Sequence, residues 1–110
     1  MKYYTIEEVF GDVPWKIIDD FPRYAISADG RVYSFISKRT LSPETVYNGY
    51  LRVSLSDGEG GIKHRRVHVL VAEAFIEKPE GATQVHHLNH DKQDNRVENL
   101  AWVSQQENLR

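Results

Sequence analysis

Residues Val85 to Arg110 read "VHHLNHDKQDNRVENLAWVSQQENLR", a stretch that crowds three of the chain's five histidines into five positions and then repeats asparagine downstream. Imidazoles and amides can ligate a metal, move a proton, or simply satisfy the backbone of a polar loop. The surrounding pattern is regular. "TQVHHL" is a strand candidate and "LAWVS" another, and the polar run from Asn89 to Asn99 between them reads as a loop. Ser104 and Glu107 stand at capping-box spacing, so a short terminal helix is expected after Ser104, with Asn108 in its first turn. So short a helix is marginal alone because nucleation is costly. Packing of Leu109 and Trp102, a metal at Asn108, or chain beyond Arg110 would have to hold it.

Working outward, "VHVLVAEAFIEKPEG" carries Val67, Leu70, Val71, Ala74 and Phe75 at the spacing of an amphipathic helix that ends before Pro79 and Gly81. Before it, "GYLRVSLSDGEGGIKHRRVHV" alternates Tyr50, Arg52 and Ser54 with Leu51, Val53 and Leu55, then turns at glycines into a basic return strand. Earlier still, "PWKIIDDFPRYAISADGRVYSF" reads as an extended segment and two strands joined at Asp29-Gly30, with Tyr24, Ile26, Val32 and Phe35 on the apolar side. Ile36 to Asn48 has no clear period and is expected to be irregular. The fold class is therefore α+β, small antiparallel hairpins backed by one helix. Trp15, Phe21, Tyr24 and Trp102 are expected in the core, and His64 and His68 at a strand surface and a helix start.

A chain of 110 residues with 40% hydrophobic and 27% charged side chains is one compact globular unit. Without cysteine it has neither disulfides nor thiolate zinc sites, so any metal falls to His, Asn, Asp or Glu. No run is long and apolar enough for a membrane helix or signal peptide, which makes a soluble, cytoplasmic protein the expectation. The formal net charge of -2 gives no global argument for a polyanionic partner. Residues 31 to 66, however, hold seven basic and three acidic side chains. Arg31, Arg52, Arg65 and Arg66, interleaved with Tyr33, Phe35, Tyr47 and Tyr50, suit either a phosphate-binding face or a solvated sheet.

"VHHLNHDKQDNRVENLAWVSQQEN" resembles the HNH endonucleases, in the branch found in phage and intron-encoded homing enzymes, whose fold is the ββα-metal (His-Me) finger. The family's histidine falls on His87, its central asparagine on Asn99 and its third polar residue on Asn108, at separations of 12 and 9 residues. "RRVHVLVAEAFI" looks like the helix that accompanies the motif. Trp15 to Phe35 resembles a small N-terminal module often fused to such nucleases and thought to touch DNA. Two units follow, residues 1–36 as this module and 37–110 as the nuclease domain.

The resemblance implies a metal-dependent endonuclease, phage-encoded or of a bacterial host, that nicks or cuts double-stranded DNA to leave 5′-phosphate and 3′-hydroxyl ends. His87 takes the general-base role, His86 and Asn108 hold one divalent ion (Mg, Mn, Ni or Zn), and Asn99 braces the loop that aims His87. Neutral imidazole suits proton abstraction near pH 7. A nitrogen ligand at position 86, where aspartate is common, shifts preference toward transition ions. Adjacent strand residues point to opposite faces, so His86 and His87 must take different jobs. In "LNHD", Asn89 stands where relatives carry aspartate and His90 where they carry glycine, which predicts a less well held loop and a solvated His90. Two other readings stay open: a DNA-binding module that keeps the fold without cutting, and a small structural metal protein built on His86, His87 and His90.

Overall fold

The computed structural model describes residues 13–105, in which three antiparallel sheets surround one helix. The first sheet is β1 (Trp15–Ile18), β2 (Phe21–Ser27), β3 (Val32–Ser34) and β4 (Arg39–Thr40), paired in that order. The second is β5 (Glu44–Thr45), β6 (Leu51–Ser56) and β7 (Ile62–Arg66). Helix α1 (Val67–Phe75) follows β7 without a loop, and β8 (Gln84–His87) pairs with β9 (Leu100–Val103) as the third sheet. Ile36 to Asn48, expected to be irregular, contains the two-residue strands β4 and β5, which are too short to leave a period in the sequence.

Burial follows the alternation. In β2 and β3 the pairs Tyr24↔Ser34 and Ile26↔Val32 carry buried side chains, with Ile26 at 0% exposure. In β6, Val53 and Leu55 are buried while Arg52 and Ser54 point away. Val67, Leu70 and Val71 of α1 join Ile18, Phe21, Tyr24, Ile26, Val53, Leu55 and Leu100 in a single apolar cluster. That cluster draws on strands either side of residue 36, so the first hairpin and the nuclease-like part share one core. The Tyr24 hydroxyl accepts from the Ser56 backbone N–H at 3.0 Å, tying the two larger sheets together. Trp102 is only half-buried. Its indole N–H donates to the Ile76 carbonyl at 3.1 Å, and the Lys78 ammonium lies 5.0 Å from its ring centroid, so it closes the end of α1 rather than filling the core.

The helix start positions the site. Arg66 has extended backbone geometry and no side chain caps the helix, so α1 begins abruptly at Val67 and places Arg66 and His68 beside β8. At the other end Lys16 of β1 donates to the Ala74 carbonyl at 2.9 Å, a cation at the helix C-terminus where the helix dipole favours positive charge.

Candidate active site

His87 is the last residue of β8, 4% exposed, paired with Leu100 across the sheet. Its ring is held on several sides. Nε2 lies 2.7 Å from the Asn95 amide oxygen, and the ring centroid is 4.8 Å from that of His68 and 5.8 Å from that of Tyr50. An amide oxygen only accepts, so the hydrogen bond puts the proton on Nε2 and leaves Nδ1 as the basic nitrogen. His86 is half-buried with its ring edge-on to His90 at 5.5 Å, so the two neighbours have different surroundings, as strand alternation requires.

The loop from Leu88 to Asn99 is a closed set of hydrogen bonds around Asn99, which is 5% exposed. The Asn99 amide oxygen accepts from the Asn89 N–H at 3.0 Å. Its NH₂ group donates to the Asn89 side-chain oxygen at 3.0 Å and to the Asp94 carbonyl at 2.8 Å. The Leu88 N–H donates to the Asn99 carbonyl at 2.8 Å. Asn89 is not a weakened substitute for aspartate. Besides accepting from the Asp91 N–H at 2.8 Å, it donates its own NH₂ to the Asp94 carboxylate at 2.9 Å, a bond no carboxylate could give. The Arg96 guanidinium holds the Asp94 carboxyl well below the usual carboxylate range, with help from Asn89. His90 is exposed with φ of 65°, the left-handed region that glycine suits, and that is where the resemblance expects glycine.

His86, His87 and His90 line one cleft of about 600 Å³ together with Tyr50, Arg66, His68 and Lys92. Among the described residues no carboxylate lines it. Arg66 and Lys92 flank the Tyr50 ring, at 4.8 and 4.9 Å from its centroid, and Lys92 also donates to the Asn48 carbonyl at 2.8 Å. Of the other arginines expected to touch phosphate, Arg31 is ion-paired with Asp29 at 3.0 Å and lies over Trp15. Arg52 is ion-paired with Glu44, and Arg65 lies over Phe21. Arg66 alone of the four is in the His87 cleft.

His68 is more than a helix start. It is 4% exposed, stacked on Tyr50 at 4.9 Å, and its Nδ1 is buried without a hydrogen-bond partner. Burial, with the charges of His87 and Arg66, pushes it down to about 4, so it is a neutral wall behind His87 at pH 7. Its spacing to Val71, Ala72 and Phe75 places it on the apolar arc of α1, the one signal in the sequence that it faces inward. Asn95 has no such signal, because it is one of several amides in a polar loop.

The fit to a metal is set by the donors. Asn108 lies outside the described residues, so its position relative to His86 is not described. Among the described residues no group of three or more His, Cys, Asp or Glu converges on a point, so His86, His87 and His90 do not form a closed structural site. The half-buried His86 imidazole in a cleft that also holds Arg66 and Lys92 suits an open site that keeps positions for water and phosphate. No helix among the described residues is long and apolar enough to cross a membrane.

Comparison with known proteins defines the class. Residues 65–110 match the HNH endonuclease family model and residues 14–56 the NUMOD4 motif. The chain thus carries an HNH endonuclease domain preceded by a NUMOD4 motif. It is homologous to the DNA endonuclease I-HmuI of Bacillus phage SP01, with 38% identity over 86% of this chain and 55% of that protein. The solved structure described as DNA binding and cleavage by the HNH homing endonuclease I-HmuI superposes with a TM-score of 0.79, giving the fold as the ββα-metal type. Two uncharacterised HNH endonucleases of Acanthamoeba polyphaga mimivirus are 37% and 35% identical over 78% and 93% of this chain. The chain spans about a quarter of their length, 26% and 25%, and just over half that of the phage enzyme.

Proposed function

We propose that this chain is a metal-dependent endonuclease of double-stranded DNA, acting in the cytoplasm of a bacterial host or phage-infected cell. It hydrolyses phosphodiester bonds by nicking or double-strand cutting and leaves 5′-phosphate and 3′-hydroxyl ends. The observation that carries this reading is the buried His87 ring, pinned through Nε2 by Asn95 and opening on a cleft where Arg66 and Lys92 supply positive charge.

His87 Nδ1 accepts a proton from water as the water oxygen attacks phosphorus. The bond from phosphorus to the 3′ oxygen breaks, and that oxygen leaves with a proton from solvent. Asn99 keeps the loop closed behind His87, so the base does not reorganise during attack. Arg66, with Lys92 beside it, takes the negative backbone. Arg31, Arg52 and Arg65 would add contacts farther from the reacting phosphate, because none of the three lines the His87 cleft. His86 and Asn108 would hold the divalent ion, which when bound neutralises charge on the phosphate and the leaving oxygen.

Incubating the protein with supercoiled plasmid in Mg²⁺, Mn²⁺, Ni²⁺ or Zn²⁺ tests the proposal. Nicking that needs the metal and is lost in His87→Ala is expected. DNA binding without nicking under every metal would instead make this a binding module that keeps the fold.

A further inference from the structure

The turn between β2 and β3 belongs to the NUMOD4 motif, yet its tip sits against the residue that pins His87. A Cβ placed on Gly30 would come within 2.9 Å of the Asn95 Cβ and 3.3 Å of the Asn95 carbonyl oxygen, so the two backbones meet with no room for a side chain. Two residues along each segment from that contact, the Val97 N–H donates to the Ala28 carbonyl at 2.8 Å. The turn is itself fixed, with the Gly30 N–H on the Ser27 carbonyl at 3.1 Å and the Arg31 N–H on the Ser27 hydroxyl at 2.7 Å. Gly30 has φ of 89°, which excludes most side chains on backbone grounds as well.

We infer that the Ala28–Gly30 turn and Asn95 are positioning elements for His87, so that the N-terminal module completes the active site in addition to any contact it makes with DNA. The turn clasps the loop at residues 95 and 97, and the clasp fixes the Asn95 amide. That amide oxygen then selects the Nε2–H form of His87 and holds Nδ1 free. A side chain at position 30 displaces the Asn95 backbone. The base then loses both its tautomer and its aim, although position 30 does not itself line the His87 cleft. The inference rests on His87 being the base, but the ring state it predicts is observable without any cleavage.

The test is ¹⁵N-detected NMR of the histidine rings in the full chain at neutral pH, joined to cleavage kinetics. In the wild type His87 is expected in the Nε2–H form. Asn95→Leu, which keeps the volume and lacks the acceptor, should mix the two tautomers and lower kcat by roughly ten- to a hundredfold with KM within twofold. Asn95→Asp, which keeps an acceptor oxygen, should retain the Nε2–H form. Gly30→Ala should move the ring signals in the direction of Asn95→Leu, and should add nothing in the Asn95→Leu background. Gly30→Asn repeats that test with a side chain that tolerates positive φ, should Gly30→Ala not fold. A wild-type His87 protonated on Nδ1 would overturn the inference. So would folded Gly30 variants with unchanged ring signals, or effects of Gly30 and Asn95 that multiply. If the ring pattern is as stated and no metal supports nicking, the endonuclease reading fails while the clasp stands.

Discussion

Two clefts of nearly equal size touch α1, and only one has the makings of a site. The cleft along the C-terminal half of the helix measures about 590 Å³ and is lined by Asp19, Asp20, Glu73 and Glu77 together with Lys16, Arg65 and Lys78. The cleft at the helix start measures about 600 Å³ and holds histidines, Arg66 and Lys92, with no carboxylate among the described residues. Size does not separate them. The difference lies in what stands behind the surface. The first cleft has solvated charges of both signs. The second has four buried polar residues at or behind it, His68, His87, Asn95 and Asn99, each 4–5% exposed. Burying such groups is costly unless they are held, and in a chain of net charge -2 the Arg66 and Lys92 charges at this cleft make a surface suited to a polyanion.

The comparison can be broken at its scaffolding first. Asn99→Ala removes three hydrogen bonds and leaves the Asn89 N–H and the Asp94 carbonyl without that partner. It should cost about 2–3 kcal/mol in urea unfolding. Substitution of Glu73 by Gln in the other cleft should change stability by less than about 0.5 kcal/mol.

Acidification is the next lever. His68 sits at about 4 in the folded protein against an ordinary 6.5, so between those values the unfolded chain binds a proton that the folded chain refuses. The stability this contributes is complete above pH 6.5, declines as pH falls toward 4, and is gone below that, with a slope of at most about 1.4 kcal/mol per pH unit. Urea melts at pH 7 and pH 5 should therefore differ less for His68→Phe than for the wild type.

Smaller effects concern charge and backbone. Arg66→Met and Lys92→Met should each lower the slope of log affinity for duplex DNA against log salt by about 0.9, while Glu77→Gln in the acidic cleft leaves it unchanged. Titrations of labelled duplex at several salt concentrations measure this. His90→Gly should raise stability by about 0.5–1 kcal/mol, because φ of 65° suits glycine, and should leave nicking intact. A loss of nicking in His90→Gly would make His90 part of the site.

Much of this was legible in the chain itself. The alternation in β6, the Asp29-Gly30 turn and the helical spacing of Val67, Leu70 and Val71 are local patterns, and local patterns place elements. The pair of strands around the loop was legible for the same reason. The partners of His87 were not. Asn95 differs from Asn89 or Gln93 only in being buried and in meeting Gly30, a contact across 65 positions that no spacing rule reports. The cleft's second cation, Lys92, stands in an acidic-looking loop and reaches the site because Tyr50 and the Asn48 carbonyl draw it there. The fate of the arginines was equally hidden, since ion pairing of Arg31 with Asp29 and of Arg52 with Glu44 depends on the turn and the sheet register.

The central claim, that His87 in the cleft at the helix start is the base of a phosphodiester hydrolase, is tested most directly by single-turnover cleavage of duplex DNA at saturating protein and metal. Wild type, His87→Ala and Glu73→Gln should be compared under conditions where all three are folded. A rate reduced about 10²- to 10⁴-fold in His87→Ala, with Glu73→Gln within twofold of wild type, is the predicted result. Equal cleavage by wild type and His87→Ala would contradict it.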